Sequence, residues 1–197
     1  MARPKTYRRE DALRSACEVF WQFGYKGLSV RALEEKTNIN QFALQNDFGG
    51  KENLYLEALE FYVAETDKAV LKPLREGGIE EIDHFFYCLG NPETTITSKW
   101  GCMVVNAGID NAKVSNKKIA HISTNYWKSL TAAFSAALTS AKRNNTIAQE
   151  INVRKSANAL VVAAMGIHTC NRINQSLTAG VPLVSVIRST IAGWRVE

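Results

Sequence analysis

Five side-chain amides lie within nine residues of the N-terminal part of the sequence: Asn38, Asn40, Gln41, Gln45 and Asn46. A primary amide presents a hydrogen-bond donor beside an acceptor, which is the pattern that adenine shows in the major groove of DNA. Short uncharged amides also reach phosphate oxygens. The cluster therefore indicates nucleic-acid recognition, provided that one helix face presents the amides together.

Two short helices joined by a tight turn are expected around this cluster. Ser29 can cap the first helix and Asn40 the second, because each offers a side-chain oxygen to free backbone amides. Asn38 lies in the turn, where Asn tolerates a positive φ better than other non-glycine residues. The second helix runs to about Asn46. The pair predicts a helix-turn-helix, whose second helix enters the major groove; the alternative is an ordinary helical hairpin with a polar surface.

Basic side chains are concentrated at the N-terminus. The first nine residues, MARPKTYRR, contain four cations and no acid, while the whole chain has a net charge of +5 and a pI near 9.0. Such an arm suits contacts to DNA phosphates, although a solubilising tail is the alternative. The predicted DNA contacts are Arg3, Lys5, Arg8, Arg9, Ser29, Arg31, Asn40, Gln41, Phe42, Gln45, Asn46 and Lys51.

Apolar residues recur at helical spacing along the whole chain, and no segment alternates as a strand does. We therefore predict an all-α protein of about nine helices. A three-helix head spans residues 1–50, and a larger helical domain spans 51–197. The fourth helix is expected to run from Lys51 to about Leu71, because Pro73 cannot continue it. Later helices are predicted at 79–89, 101–110, 116–143, 153–177 and after Pro182.

Two strings carry a resemblance to a known family. GYKGLSVRALEEKTNIN, residues 24–40, and ALQNDFGGKENL, residues 43–54, resemble the DNA-binding head of the TetR family of bacterial transcriptional repressors. The resemblance covers about residues 8–56. Family members usually have Gly at Asn38, a small residue at Phe42, Tyr at Gln45 and His at Asp47. Asp47 would repel phosphate, so no base contact is assigned to it.

The resemblance implies a homodimer that binds palindromic double-stranded operator DNA and releases it when a small-molecule effector occupies the C-terminal domain. WGCMVVN, residues 100–106, resembles the start of the sixth helix in one TetR subgroup. The remainder resembles the family more loosely, so effector contacts do not transfer. The operator, the effector and the target genes cannot be identified from the sequence.

Aromatic and polarisable residues are frequent in the middle helices. Some are expected to line a cavity for a small apolar or aromatic molecule; the alternative for each is core packing. The candidates are Phe61, Tyr62, Phe85, Phe86, Trp100, Met103, Tyr126, Trp127, Met165 and His168.

The last two helices combine small and large apolar residues, which favours a four-helix dimer interface over an intrachain core. The candidate interface residues are Leu160, Ile167, Leu183, Ile187, Ile191 and Trp194.

Four cysteines are scattered, with no C-x-x-C pair, so neither a disulfide framework nor a zinc site is predicted. Cys102 differs from the other three cysteines, because a helix N-terminus and nearby Lys99 would favour its thiolate form. It could make the protein a repressor switched by oxidants or electrophiles; the alternative is a buried structural thiol.

No catalytic constellation is recognisable, so we predict that the protein is not an enzyme and needs no cofactor or metal. A DNA-compacting protein without an effector would not need the large second domain. The sequence has neither an apolar run of about 18 residues nor the apolar core of a signal peptide, which predicts a cytoplasmic protein with no membrane partner.

Overall fold

The computed structural model describes residues 8–94 and 96–196, and its regular elements are helices. The predicted DNA contacts Arg3 and Lys5 lie outside the described residues. The α-helices are α1 (Arg9–Phe23), α2 (Val30–Thr37), α3 (Gln41–Phe48), α4 (Lys51–Thr66), α5 (Lys72–Glu76), α6 (Ile79–Gly90), α7 (Met103–Asn111), α8 (Lys117–Arg143), α9 (Val153–Asn174) and α10 (Val181–Ala192). Within the described residues the nearest approach to a strand is one isolated bridge between Ile147 and Arg195. The predicted all-α fold is confirmed.

The fourth helix is longer than the sequence suggested. A π-helical turn, Asp67–Leu71, joins α4 directly to α5, so one continuous rod extends from Lys51 to Glu76. Counted as one, this rod makes nine helices in the described chain. The expected stop at Pro73 is wrong, because the wider π turn changes the backbone hydrogen-bond pattern just before the proline and Pro73 occupies the first turn of α5.

The N-terminal head is held by a small core between α1, α2 and α3. Phe20, Leu33, Ile39 and Phe48 are each at most 1% exposed. The head does not stand apart from the rest, because α1 packs along α4 and the sulfur of Cys17 lies 3.8 Å from that of Met103 on α7. A movement of α4 or α7 would therefore displace α1 directly.

The larger part is organised around α8, which packs against α5, α6, α7 and α9. Phe85, Phe86 and Phe134 form an aromatic cluster inside it, with ring centroids 5.1–6.1 Å apart. At the far end α10 stops at Ala192, so Trp194 follows the last helix rather than continuing its face. In the described part of the chain no helix is both long enough and apolar enough to span a bilayer.

Candidate nucleic-acid interface and effector cavity

Local hydrogen bonds fix the position of α3. The Ser29 hydroxyl oxygen accepts from the amide of Ala32 at 3.0 Å, and the Asn40 side-chain oxygen accepts from the amide of Ala43 at 2.8 Å. Asn38 adopts the left-handed conformation at φ 57°, as its place in the turn predicted. Both helix starts are therefore satisfied by side chains, which sets the angle between α2 and α3.

One face of α3 is buried against the head, and the other is open to solvent. Ala43 and Leu44 point inward, whereas Gln41, Phe42 and Gln45 are exposed. Phe42 is 77% exposed, which is unusual for a large aromatic side chain. Asn46 is also exposed, but its amide nitrogen donates to the Phe42 carbonyl at 2.8 Å. The exposed face of α3 thus presents the apolar ring of Phe42 and the side-chain amides of Gln41 and Gln45, for which the described residues show no bond to the helix backbone like that of Asn46.

Arg9, for which the sequence predicts a phosphate contact, also makes contacts within the chain. Its guanidinium donates to the Asp47 carbonyl at 2.8 Å, pairs with Glu57 and lies 4.5 Å from the centre of the Phe48 ring. These contacts tie the start of α1 to the end of α3 and to α4. Arg8 is exposed at the N-cap of α1, where it is available for the phosphate contact that the sequence predicts.

Lys51 is likewise used inside the head. Its ammonium donates to the Leu28 carbonyl and lies 4.3 Å from the centre of the Tyr25 ring, and burial lowers its pKa. Arg31 remains outside, with a side chain that is 90% exposed; among residues 8–94 and 96–196 it pairs with Glu35 at 3.0 Å, one turn along the same helix. A pair this exposed is weak, so Arg31 can exchange it for a phosphate.

A cavity of about 570 Å³ lies between α1, α4, the π turn, α6, α8 and α9. Seven of the ten predicted pocket residues line it: Phe61, Tyr62, Phe85, Tyr126, Trp127, Met165 and His168. Phe86 and Met103 are core residues instead, each at most 1% exposed, and Trp100 packs edge-on against Trp21 with centroids 5.8 Å apart. The sequence pattern cannot separate a cavity wall from solid core.

The N-terminal head itself forms part of the cavity wall, which the sequence pattern did not predict. Arg14, Cys17, Glu18 and Trp21, all on α1, line the cavity. Their spacing of three and four residues places them on one face of α1. A molecule in the cavity would therefore touch the head without an intermediary.

Most polar groups around the cavity are uncharged. Burial raises the pKa of Tyr62 and Tyr126 well above the usual tyrosine value, and it lowers the pKa of His168 to about 4. The Nδ1 atom of His168 is buried and has no hydrogen-bond partner among the described residues. A buried polar nitrogen without a partner is costly.

The predicted thiolate character of Cys102 is wrong in direction. Cys102 caps α7 and is 2% exposed, and burial raises the pKa of its thiol. The amides of Val104 and Val105 and the Tyr62 hydroxyl act against this rise but do not overcome it. Desolvation outweighs the helix N-terminus here, since the charged form loses nearly all contact with water.

A second set of contacts joins the head to α9. The Arg172 guanidinium donates to the carbonyls of Trp21 at 2.9 Å and Gln22 at 3.1 Å, at the C-terminal end of α1. The Trp21 indole donates to the Gly101 carbonyl at 2.9 Å. Gly101 has φ +70° and packs so closely on the His168 carbonyl that a Cβ atom would lie 2.5 Å from it. Direct contacts of α9 and of the Gly101 turn thus connect the wall of the cavity to the C-terminal end of α1.

The predicted dimer residues separate into two groups. Leu160, Ile167 and Ile191 are at most 2% exposed and belong to the core of the chain itself, so they cannot meet a partner. Trp194 is half-buried after the end of α10, and Ile187 is half-buried on it. The exposed apolar side chains of α9 and α10 are Val162, Ile173, Leu183 and Val186, with exposed fractions from 36% to 74%.

Comparison with known proteins finds a match in the head. Residues 12–58 match the family described as bacterial regulatory proteins, tetR family. The HTH-type transcriptional repressor ComR of Escherichia coli K12 is 30% identical over 107 residues, which are 53% of this chain and 51% of ComR. The HTH-type transcriptional repressor AcnR of Corynebacterium glutamicum is 36% identical over 78 residues, 39% of each protein. The chain thus spans about half the length of ComR and less of AcnR.

Solved structures match over nearly the whole chain. A cysteine mutant of the TetR family transcriptional regulator CifR, complexed with 26-bp double-strand operator DNA, has a TM-score of 0.77 at 22% identity, covering 98% of this chain and 100% of that one. The reduced form of NemR from E. coli has a TM-score of 0.78 at 16% identity, covering 96% and 97%. At these identities the likeness concerns the fold.

Proposed function

We propose that this chain is a member of the TetR family of bacterial regulatory proteins, whose model matches residues 12–58, and that it is a repressor that binds palindromic operator DNA as a dimer and releases it when a small molecule fills the cavity. The observation that carries the proposal is the outward face of α3, where capped helix ends present Gln41 and Gln45 with exposed Phe42. Residues 1–50 form the DNA-binding head, and residues 51–197 form the effector-binding and dimerisation part.

The α3 face suits the major groove in chemistry. Gln41 and Gln45 lie one helical turn apart, and each can contact the donor and acceptor of an adenine or a phosphate oxygen. Phe42 follows Gln41, beside this pair, and fits the methyl group of thymine, which is the apolar feature of that groove. Arg8 and Arg31 are placed for phosphates, because both are exposed and neither is buried in a structural contact.

Dimerisation is proposed through the exposed apolar face of α9 and α10. Val162 and Ile173 on α9 and Leu183 and Val186 on α10 would meet the same residues of a second copy across a twofold axis. The dimer sets the spacing of two α3 helices, which must match half-sites about 34–36 Å apart or multiples of this distance.

Release of DNA is proposed to follow from the position of the cavity. An occupant would contact α1 through Trp21, α4 through Phe61 and Tyr62, and α9 through His168. An occupant that fits a different arrangement of α1 and α4 shifts the population toward it, and the two recognition helices then no longer reach both half-sites.

A thiol-switched repressor was the alternative reading of the sequence. The burial and raised pKa of Cys102 argue against it, so a reversible ligand in the cavity is the proposal that we put forward.

The test is footprinting of the purified protein on the DNA upstream of its own gene, followed by gel-shift titration with wild type and Gln41→Ala/Gln45→Ala. We expect one protected palindrome and weaker binding by the double variant. Equal affinity of both proteins for the palindrome and for unrelated DNA would contradict the proposal.

A further inference from the structure

Phe42 has the most exposed of the large apolar side chains in the described part of the chain, at 77%. Other exposed aromatic rings have partners: Lys36 lies 4.5 Å from the centre of the Phe23 ring, and the Tyr87 ring stacks on His84 with centroids 6.1 Å apart. Among the described residues the Phe42 ring has no such contact. Single apolar residues are common on protein surfaces, so the position of this ring decides what it means.

That position is the first turn of α3. Phe42 is the second residue of the helix, which begins at Gln41. The Asn40 cap holds the turn, and the Asn46 side chain donates to the Phe42 carbonyl at 2.8 Å. In a helix-turn-helix the N-terminal residues of the second helix contact base edges. The Phe42 ring therefore lies where α3 would meet bases rather than phosphates.

The exposed side chains around the ring are uncharged amides. Gln41 precedes Phe42, and Gln45 and Asn46 follow one turn later. A hydrated, charged phosphate gains nothing from an apolar ring. The major groove, however, presents one apolar group, the methyl group that a pyrimidine carries at C5, and an exposed ring can bury it. The amides can meanwhile bond the polar edges of neighbouring bases.

We propose that Phe42 recognises the C5-methyl group of a pyrimidine at one position of each half-site, either on thymine or on 5-methylcytosine in its place. Both bases carry the methyl group at the same point of the major groove. This rests on the proposed function in taking α3 as the recognition helix. It adds that operator affinity depends on one methyl group per half-site and rises when a cytosine at that position is methylated.

The experiment first selects bound duplexes from a random-sequence library with the full wild-type chain. Each thymine of the selected half-site is then replaced by uracil, in both half-sites at once, which removes the methyl group and keeps the Watson–Crick hydrogen bonds. Gel-shift titration should show one position where uracil weakens binding by about fourfold per half-site. This is the factor expected when one methyl group is no longer buried.

A second pair of duplexes carries a C·G pair at the sensitive position, with cytosine either methylated at C5 or unmethylated. Wild type should prefer the methylated duplex by the same factor of about fourfold per half-site. The two pairs of duplexes distinguish the two sources of the methyl group, because each pair differs only in that group.

Variants locate the contact. Phe42→Ala removes the exposed ring, so it should bind thymine and uracil duplexes equally, and 5-methylcytosine and cytosine duplexes equally. The matched control is Ile109→Ala on α7, which removes an apolar side chain that is 59% exposed but lies outside α3. This variant should keep both wild-type ratios. The ratios measured on wild type do not depend on whether a variant folds.

The inference is overturned if wild type binds thymine and uracil duplexes equally at every position, if it shows no preference for 5-methylcytosine over cytosine, or if folded Phe42→Ala keeps the wild-type ratios. In each of these outcomes a selected sequence is still bound, so the proposed repressor function stands. Selection of no common sequence from the library would contradict the proposed function itself, and this inference with it.

Discussion

The recognition face on α3 and the cavity differ in how the chain builds them. The α3 face comes from eight consecutive residues, and the Asn40 cap before them bonds the backbone amide three residues further on. The wall of the cavity comes from five α-helices, the π turn and a loop. A local site depends on few neighbours and is legible in sequence. A site assembled from several helices depends on how those helices pack. A single residue of the cavity therefore contributes less to binding a molecule and more to linking the helices around it.

The prediction with the largest effect tests whether one α3 face can bind the operator without the α3 face of a second copy. Val186→Asp places a charge in the proposed interface twice, once from each copy, so sedimentation should show monomer and operator affinity should fall about 1,000-fold, about 4 kcal/mol. Thr124→Asp, at an exposed position of α8, is the control and should stay dimeric. A dimer of Val186→Asp with full operator affinity would exclude this face as the interface.

The next prediction concerns the cavity and pH. His168 has a pKa of about 4 in the folded chain against 6.5 for the free group, so the unfolded chain binds the extra proton first. Stability from the neutral ring is complete above about pH 6.5 and is lost as pH falls toward 4, a change of about 3 kcal/mol.

Urea unfolding of wild type and His168→Phe at pH 7 and pH 4.5 measures this effect. Wild type should lose more stability on acidification than the variant, in which residue 168 no longer titrates. Parallel losses in the two proteins would place the acid-sensitive group elsewhere.

The face itself is tested by amide removal. Gln45→Ala should weaken specific operator binding by about 1–3 kcal/mol and relax the sequence preference at one base pair, because a bidentate base contact is lost. Gln22→Ala removes an equally exposed amide on α1, outside α3, and should bind like wild type. An unchanged footprint and affinity for Gln45→Ala would show that α3 is read through other residues.

The smallest effect separates two adjacent arginines. Arg8→Ala should lower affinity for all sequences modestly and reduce the salt dependence by about one phosphate contact. Arg9→Ala should instead lower the melting temperature of the protein, because Arg9 ties α1 to the Asp47 carbonyl and to Glu57. The comparison fails if Arg9→Ala changes the salt slope and leaves the melting temperature unchanged.

Local signals explain what could be predicted. Ser29, Asn38 and Asn40 act on residues at most three positions away, so the turn and both helix starts were readable. Helix spacing likewise gave the all-α fold and most boundaries.

Contacts distant in sequence explain what could not be predicted. Arg9 and Lys51 were assigned to DNA because they are basic and near the motif, yet they bond to residues 38 and 23 positions away. Leu160 and Val162 are both apolar and lie two positions apart on α9, and packing shows that the first is core and the second is exposed. The face of α1 that lines the cavity could not be told from core for the same reason.

The π turn in the fourth helix has a consequence for comparing gene sequences. A π-helical turn closes its hydrogen bonds from residue i to i+5 rather than i+4, so Asp67–Leu71 accommodates one residue more than a regular turn would. A relative whose corresponding rod is α-helical throughout should therefore carry one codon fewer between the equivalents of Lys51 and Pro73. Alignments of the family should place a single-residue gap there, opposite the segment where Ala69 and Val70 line the cavity.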